Sequence, residues 1–228
     1  MTTIRRTVLA AIAMVLGMAS FATTATSPPV VQALLEAPTK LWDGFSSPVG
    51  MAFDATGNLY VAEWGVGRVS RIDPQGRRSI FAEGLSGPSG LAIGVDGSIY
   101  VASYSLDEVY RFTPAGVRNV HVTGLATPAG IGFDRAGRLL IANRRTNQIL
   151  AVAANGRPKP VIDGLQTPVG AVQTPDGGYV VSNIGGGVTI IRPDGTRIEA
   201  GKDFGTPGPG VAIRGLLVFS AISDGTQS

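Results

Sequence analysis

An all-β fold of short antiparallel strands is predicted by three features of the 228-residue sequence. A repeat recurs at a step of 40 residues, each repeat holds four short segments rich in β-branched and aromatic residues, and glycine-ended turns separate them. Prolines and glycines mark equivalent positions of the repeat: Pro48, Pro88, Pro128 and Pro168, then Gly50, Gly90, Gly130 and Gly170. A period near 40 with several short strands per unit is typical of a β-propeller, so we predict four-stranded antiparallel blades.

The first repeat illustrates how the strands are assigned. Its β segments are Met51 to Phe53, Leu59 to Ala62, Arg68 to Ile72 and Ser79 to Ala82. An Asp-x-x-Gly turn over residues 54–57 joins the first two segments, and turns of this composition favour hairpins. No repeat carries apolar residues at helical spacing over about ten positions, so strands rather than helices are predicted.

The two ends of the repeat region predict a composite blade. Residues 39–44 copy the last segment of a repeat, and residues 210–221 copy the first two. Joining these ends in one sheet would cover both exposed edges, which otherwise invite aggregation. We therefore predict four complete blades plus a composite blade, from the N- and C-terminal strands, that lacks its third strand. Two alternatives remain: a short five-bladed ring, or a truncated version of a larger one.

The first 25 residues have the pattern of a signal peptide. Arg5 and Arg6 precede an apolar run from Val8 to Ala22, and the small residues that follow allow cleavage after Ala22 or Ala25. This run spans about 22 Å as a helix, short of the ~30 Å hydrocarbon core, so an uncleaved anchor is the lesser alternative. We predict a signal peptide over 1–25, a linker over 26–38 and the propeller over 39–228. The protein is then periplasmic or secreted, with no stable membrane insertion after cleavage.

Composition narrows the partners and the chemistry. The chain has 19 Lys and Arg against 16 Asp and Glu, and without Arg5 and Arg6 the balance is 17 against 16, or +1. No basic block remains, so no nucleic-acid partner is expected. With no cysteine and one histidine, His121, a cysteine nucleophile and a histidine metal cluster are excluded. His121 falls on the outermost strand of its repeat, and we interpret it as a structural substitution.

The repeat residues resemble those of NHL-type six-bladed β-propellers. The motifs that carry this resemblance are Pro48-Val49-Gly50-Met51-Ala52-Phe53-Asp54, Gly57-Asn58-Leu59-Tyr60-Val61-Ala62-Glu63 and Ile72-Asp73-Pro74-Gln75-Gly76. A wider resemblance includes gluconolactonase-like and streptogramin-lyase-like propellers and covers about residues 39–222. Such families carry six or seven blades, whereas four complete repeats are present here. The motifs specify the architecture and say little about activity.

The resemblance implies two kinds of enzymatic site, and this sequence departs from both. Streptogramin lyases imply a channel histidine, but His121 is placed on an outer strand. Gluconolactonase-like enzymes imply a divalent cation held by Glu, Asn and Asp, several of them at the middle position of Pro-x-Gly. The residues at that position here offer one hydroxyl among them: Val49, Ser89, Ala129 and Val169. Since hard cations need carboxylate and carbonyl oxygens, we expect no metal site and no cofactor.

A candidate ligand site lies where the second strand of each repeat ends. The residue at this position is polar in every complete repeat: Glu63, Ser103, Asn143 and Asn183. Two interpretations remain open. These side chains satisfy loop backbone groups at the strand end, or they form a polar collar that hydrogen-bonds a ligand. Next to them, Trp64 and Tyr104 could stack on a sugar or aromatic ring, and Arg144 with Arg145 could pair with an anion.

Three classes of function are compatible with these residues. The favoured class is a ligand-binding or protein-interaction module of the cell envelope, whose partner is a small molecule or a protein at the loop face. The alternative is a propeller hydrolase, gluconolactonase-like, or a lyase, for which Glu63 is the strongest candidate acid or base, although no catalytic residue is assigned. A purely structural role, or an inactive remnant, is the third class. Whether the protein is an enzyme stays open at this point.

Overall fold

A computed structural model describes residues 40–153, 156–184 and 187–200, and the backbone of residues 207–213 and 216–221. The predicted signal peptide over 1–25 and linker over 26–38 lie outside the described residues. The chain divides into two compact units, Met1–Asp43 and Gly44–Ser228. In the described part of the first unit, residues 40–43 form no strand, and Lys40 Nζ lies 3.2 Å from Asp43 Oδ2 in an exposed ion pair.

The described part of the second unit contains four antiparallel four-stranded sheets arranged as the blades of a β-propeller, which confirms the predicted fold class. Blade 1 consists of β1 (Pro48–Phe53), β2 (Leu59–Glu63), β3 (Arg68–Ile72) and β4 (Arg78–Ala82). Blade 2 consists of β5 (Pro88–Ile93), β6 (Ile99–Ser103), β7 (Glu108–Phe112) and β8 (Arg118–Val122). Blade 3 consists of β9 (Pro128–Phe133), β10 (Leu139–Asn143), β11 (Gln148–Val152) and β12 (Pro158–Ile162). Blade 4 consists of β13 (Pro168–Gln173), β14 (Tyr179–Asn183), β15 (Gly187–Ile191) and β16 (Arg197–Glu199).

The hairpin between β1 and β2 shows why the repeat folds as it does. The Asp54 carboxylate accepts hydrogen bonds from the backbone N–H groups of Thr56 and Asn58, each at 2.9 Å. Gly57 takes a left-handed φ of 87° and its N–H donates to the Asp54 carbonyl at 3.1 Å. Glycine adopts this conformation without steric cost, so the Asp-x-x-Gly sequence closes a tight turn and sets the register of the two strands.

Alternation along the strands builds the core between neighbouring blades. On β2, Tyr60 and Ala62 pack against Leu91 and Val101 of blade 2, while Val61 faces the other side of the sheet. Equivalent clusters join blade 2 to blade 3 and blade 3 to blade 4. Since successive side chains point to opposite faces, each sheet is apolar on both faces, as stacking of blades requires.

The first strands of neighbouring blades approach each other backbone to backbone. A Cβ added at Gly50 would lie 2.3 Å from the Ser89 carbonyl oxygen, and one at Gly90 would lie 2.3 Å from the Ala129 carbonyl oxygen. The Ser89 hydroxyl donates to the Pro128 carbonyl oxygen at 2.9 Å and is buried. The glycine of Pro-x-Gly is therefore required by close packing, and Ser89 at its middle position binds the next blade.

The ends of the second unit only partly follow the predicted composite blade. β17 (Pro207–Ile213) and β18 (Leu216–Ala221) pair as a two-stranded sheet, and β17 runs beside β13 and comes close to β1. The first strands therefore follow one another as β1, β5, β9, β13 and β17. The outer strand predicted over residues 39–44 does not form in the described residues 40–44. These residues are exposed, Leu41 at 73%, so the segment gains little burial that would hold it in a sheet.

Gly44 nevertheless keeps the conformation of a residue that ends an outer strand. Its φ of 68° matches that of Gly84 and Gly124 in the next two repeats, at 68° and 69°. Arg78 Nη1 donates to the Gly44 carbonyl oxygen at 3.0 Å, as Arg118 Nη1 does to the Gly84 carbonyl oxygen at 3.4 Å. The repeat is thus preserved at Gly44 in local conformation and in its arginine contact, although the strand pairing is lost.

Candidate functional site

Backbone hydrogen bonds place four side chains at equivalent positions on the face formed by the loops that follow the second strands. The N–H of each of these residues donates to the carbonyl of the residue just before a first strand, at 3.0 to 3.2 Å. The pairs are Trp64 with Ser47, Tyr104 with Gly87, Arg144 with Thr127 and Ile184 with Thr167. All four acceptor residues are left-handed, with φ between 47° and 59°. The repeat therefore fixes the backbone here and lets the side chain differ from blade to blade. We call Trp64, Tyr104, Arg144 and Ile184 the platform residues.

The residue before each platform residue is buried and directed into the protein. We call this set the anchor residues: Glu63, Ser103, Asn143 and Asn183. The Ser103 hydroxyl donates to the Ser86 carbonyl at 2.7 Å, and Asn143 Oδ1 accepts from the Ala126 N–H at 2.7 Å. Glu63 Oε2 accepts from the Ser46 N–H at 2.8 Å. For these three residues the structure follows the interpretation in which strand-end polar groups satisfy the loop backbone. A direct contact of the anchor residues with a ligand stays a prediction.

Glu63 is the centre of a buried ion-pair network. Its carboxylate receives Arg68 Nε at 2.9 Å, Arg78 Nη2 at 2.7 Å and the Ser70 hydroxyl. Burial by itself would raise the pKa of Glu63, but the hydrogen bonds from Arg68, Ser70, Ser46 and Arg78 outweigh it and lower the pKa to about 2. The carboxylate is thus ionised and fully engaged at neutral pH. It lacks both the proton of a general acid and the basicity of a general base.

Asn183 differs from the other anchor residues. Its Nδ2 donates to the Thr189 hydroxyl at 2.9 Å, while its Oδ1 is buried and has no hydrogen-bond partner among the described residues. The loop that follows it is shorter, because Asn183 pairs with Gly187, whereas Glu63 pairs with Arg68. Blade 4 therefore departs from the anchor pattern of blades 1 to 3. Residues 185–186 of this loop lie outside the described residues.

Three platform residues of successive blades stack on one another. The rings of Trp64 and Tyr104 meet edge to face, with centroids 5.0 Å apart and planes at 66°. The Arg144 guanidinium carbon lies 5.4 Å from the Tyr104 ring centroid, within reach of a cation–π interaction. Trp64 is 37% exposed, and Tyr104 and Arg144 are half-buried. The structure thus brings together three of the predicted site residues in a partly exposed row.

Gly87 is a positioning residue that sequence reasoning did not identify. A Cβ added at Gly87 would lie 3.1 Å from Trp64 Cη2 and 2.6 Å from the Ser105 hydroxyl oxygen. Ser47, Thr127 and Thr167 occupy the equivalent position with a similar left-handed φ. The backbone therefore accepts a side chain at this position, and glycine in blade 2 makes room for the indole ring. In the sequence, Gly87 is the one glycine among Ser47, Thr127 and Thr167 at a step of 40 residues, and this exception could have identified it.

Among the described residues of the second unit, the arginines divide into those that form ion pairs and those that do not. Six ion pairs between described residues of the second unit use Arg68, Arg77, Arg78, Arg111, Arg138 and Arg197. Within the described ranges, neither Arg144 nor Arg145 belongs to an ion pair, and Arg144 Nε is buried without a hydrogen-bond partner. Adjacent cations without a protein carboxylate are therefore found on the loop face beside the aromatic pair.

His121 lies on β8, the outermost strand of blade 2, as the repeat alignment predicts. Its ring packs edge to face on Tyr100 with centroids 5.1 Å apart. Burial, and to a lesser degree the nearby Arg111, lowers the pKa of His121.

In the described ranges no three His, Cys, Asp or Glu side chains group as a metal site would require. No helix among those residues combines the length and apolar character needed to cross a membrane.

Solved structures share this architecture. The chain superposes on a streptogramin B lyase with a TM-score of 0.62 and 18% identity over 75% of this chain, and on a putative gluconolactonase with 0.61 and 21% over 72%. It also superposes on a chain of a nidogen/laminin complex with a TM-score of 0.65 and 20% identity, covering 77% of this chain and 72% of that chain. This chain spans 60% of the lyase chain and 66% of the gluconolactonase chain.

No protein-family profile and no curated protein sequence matches the chain. At these identities the structural likeness shows the fold alone. The resemblance to streptogramin-lyase-like and gluconolactonase-like propellers, predicted from the repeat motifs, is confirmed at that level. The propeller fold carries binding proteins and enzymes alike, so function has to be argued from the loop face.

Proposed function

We propose that this protein is a ligand-binding propeller whose platform residues contact a small organic molecule on the loop face. The observation that carries the proposal is the row of Trp64, Tyr104 and Arg144, in which two aromatic rings and a guanidinium lie in van der Waals or cation–π range. Aromatic rings and arginine are the side chains that supply most of the binding energy in recognition sites. Here they are presented by loops on a rigid sheet scaffold.

In this proposal the anchor residues support the platform rather than touch the ligand first. Glu63, Ser103 and Asn143 tie the end of the second strand to the segment that enters the first strand. Each platform residue follows directly, so its backbone is held from both sides. Because the loop is already ordered, less conformational entropy is lost when a ligand binds. Asn183, whose Oδ1 has no partner in the part of the chain that the structure describes, is the anchor residue best suited to a direct hydrogen bond with a ligand.

Binding rather than turnover is the proposal because of the state of Glu63. The carboxylate that the sequence offers for acid–base chemistry is buried, bound by two arginines and held at a pKa of about 2. A hydrolase or lyase needs a group that can exchange a proton near neutral pH. At neutral pH Glu63 has no proton to donate as an acid, and its low pKa makes it a poor proton acceptor.

We further propose that the protein acts outside the cytoplasm, in the periplasm or in secreted form, as a module of the cell envelope. The support is the charged start, apolar run and small residues of segment 1–25. Mass spectrometry of the exported protein is expected to show a mature N-terminus at Thr23 or Thr26. An intact Met1 in exported material would contradict export by cleavage.

The binding proposal is tested by a ligand screen with a local reporter. The chain has two tryptophans, so Trp42→Phe leaves Trp64 as the single indole fluorophore. Neutral and charged aromatic compounds, sugars and lactones are titrated while Trp64 emission is followed. We expect saturable changes for at least one class, weakened at least tenfold in Tyr104→Ala. Ligands that bind with equal affinity to the Tyr104→Ala variant would place the site elsewhere.

A further inference from the structure

We infer that the ligand is an organic anion, with a ring or other apolar body carrying a carboxylate or phosphate group. This inference rests on the proposed function, because it assigns a chemical class to the ligand of the platform. The apolar body lies against Trp64 and Tyr104, and the anionic group pairs with Arg144 and Arg145.

The charge of blade 3 supports the anionic half. Arg144 and Arg145 are consecutive, both belong to the loop that follows β10, and neither joins an ion pair among the described residues. The adjacent arginines Arg77 and Arg78 are by contrast paired with Asp73 and Glu63. Other arginines without an ion pair among the described residues stand singly in the sequence: Arg71, Arg118 and Arg135. Two adjacent positive charges repel each other, so an anion between them would gain from both. Blade 3 thus presents two adjacent positive charges on the loop face with no described carboxylate in ion-pair range.

The position of the Arg144 side chain favours a planar oxyanion. Its Nε is buried, so the two Nη groups are the part of the guanidinium left for an external partner. The contact with the Tyr104 ring restricts the Arg144 side chain and lowers the entropy that it loses when it binds an anion. A guanidinium held in this way donates two parallel hydrogen bonds to a carboxylate or phosphate.

The apolar half lies over blades 1 and 2. Trp64 is 37% exposed, Val66 in the same loop is 52% exposed, and Leu106 in the equivalent loop of blade 2 is 53% exposed. The equivalent loop of blade 3 carries Arg145 and Thr146 instead. The loop face is therefore mainly apolar over blades 1 and 2 and cationic over blade 3. Asp107, next to Leu106, adds one carboxylate between them, and its Oδ1 accepts a hydrogen bond from the Thr127 N–H at 2.6 Å. A ligand that matches this face has both apolar and anionic character in one molecule.

The experiment uses matched probes and the Trp42→Phe protein, with Trp64 emission as the readout. Phenylacetate is compared with phenylacetamide, which has the same ring without the charge, and phenyl phosphate is compared with inorganic phosphate, which has the charge without the ring. Arg144→Gln is compared with Arg77→Gln, which removes the same charge from an exposed pair with Asp73 in the turn between β3 and β4. Vesicles of anionic and of neutral phospholipid form a separate arm.

We expect phenylacetate and phenyl phosphate to bind at least tenfold more tightly than phenylacetamide and inorganic phosphate. Arg144→Gln should reduce that advantage to less than threefold, because it weakens the binding of phenylacetate more than that of phenylacetamide, whereas Arg77→Gln should preserve the advantage. Equal affinity for phenylacetamide and phenylacetate would overturn the anionic assignment and leave the binding platform standing. Equal affinity for inorganic phosphate would overturn the apolar half.

Two further outcomes would overturn the inference in other ways. Binding to anionic vesicles without binding to either soluble anion would assign the face to a lipid surface. Binding of none of the probes, in a protein whose thermal unfolding is cooperative, would overturn the organic-anion class. In that last case the broader screen described above decides separately whether the platform binds any ligand.

Discussion

The anchor residues and the platform residues are neighbours in the chain, yet the two sets have opposite surroundings. Asn143 is buried and accepts a hydrogen bond from the Ala126 N–H, while Arg144, the next residue, stacks on Tyr104 beside solvent. The same contrast separates Glu63 from Trp64 in blade 1. One step along the backbone therefore separates a side chain that stabilises the loop from one that is displayed by it.

This difference shows how a repeat can hold a variable site. The backbone bond from Trp64 to Ser47 recurs from Tyr104 to Gly87 and from Arg144 to Thr127, so the display position is the same in each blade. The anchor side chains vary in type. Three of them nevertheless form hydrogen bonds with the backbone at equivalent positions of the repeat, residues 46, 86 and 126. Stability and recognition are thus carried by different residues, and each can be altered separately.

The largest expected effect is on stability, from Glu63→Gln. The neutral amide removes the anion that Arg68 and Arg78 share, and breaking a buried pair is strongly destabilising. We expect a loss of about 3–4 kcal/mol, near the lower end for such a change because both arginines retain some contact with water. Urea unfolding followed by circular dichroism measures it. A loss below about 1 kcal/mol would show that the network contributes little.

Acid should reveal the same network in the unmodified protein. The pKa of Glu63 is about 2 in the folded state against 4.5 as its ordinary value, so the group stabilises the fold above pH 4.5. That stabilisation, about 3 kcal/mol, is lost as the pH falls from 4.5 toward 2, because the unfolded chain takes up the proton first. Unfolding free energies at several pH values, compared with those of Glu63→Gln, isolate this contribution. Parallel pH profiles for the two proteins would contradict the assignment.

A smaller effect separates two anchor residues of the same type. Asn143→Ala leaves the Ala126 N–H without its acceptor, whereas in Asn183→Ala the lost Oδ1 had no partner. We therefore expect Asn143→Ala to cost about 1–2 kcal/mol more than Asn183→Ala. The pair is compared by urea unfolding under one set of conditions. A larger cost for Asn183→Ala would show that its Oδ1 is satisfied in solution.

The smallest expected effect on stability comes from Gly87→Ser, which acts on the platform. A left-handed φ costs a non-glycine residue about 1–2 kcal/mol, and Ser47 shows that serine is accepted at the equivalent position, so we expect a loss near the lower end, about 1 kcal/mol. The added Cβ, 3.1 Å from Trp64 Cη2, should displace the indole and shift its emission in the Trp42→Phe background. Gly76→Ser is the control, since Gly76 is also left-handed but has nothing within 4 Å of an added Cβ. Identical emission in both variants would contradict the role of Gly87.

Much of the fold could be predicted because turn residues and the alternation of side chains along each strand specify the repeat locally. Asp54 and Gly57 specify a turn by themselves, and the alternation of Tyr60 and Val61 assigns the two faces of β2. The outer strand predicted over residues 39–44 was wrong for residues 40–44, because strand pairing depends on a neighbour that the sequence pattern does not reveal. Gly44 has the left-handed conformation that the repeat predicts, but the described residues before it do not pair with another strand.

The sequence identified most residues of the candidate site, but not which of them are buried and which are exposed. The sequence singled out both Glu63 and Trp64, but burial decides which of the two meets a ligand, and burial depends on packing between blades. The arginines that neutralise Glu63 are 5 and 15 residues away along the chain, on β3 and β4. Such a network becomes visible when the strands are paired. Gly87 likewise acquires its meaning from Trp64, which belongs to the preceding blade.

The division of labour between anchor and platform is tested most directly at Asn143 and Arg144, adjacent residues of one blade. Urea unfolding and the affinity for phenylacetate are measured for Asn143→Ala and Arg144→Ala in the Trp42→Phe background. We predict that Asn143→Ala loses about 2 kcal/mol of stability and less than about fivefold in affinity, because Arg144 is held less firmly. Arg144→Ala should keep its stability within about 0.5 kcal/mol and lose at least tenfold in affinity. The reverse pattern, or equal losses of both quantities in both variants, would contradict the account.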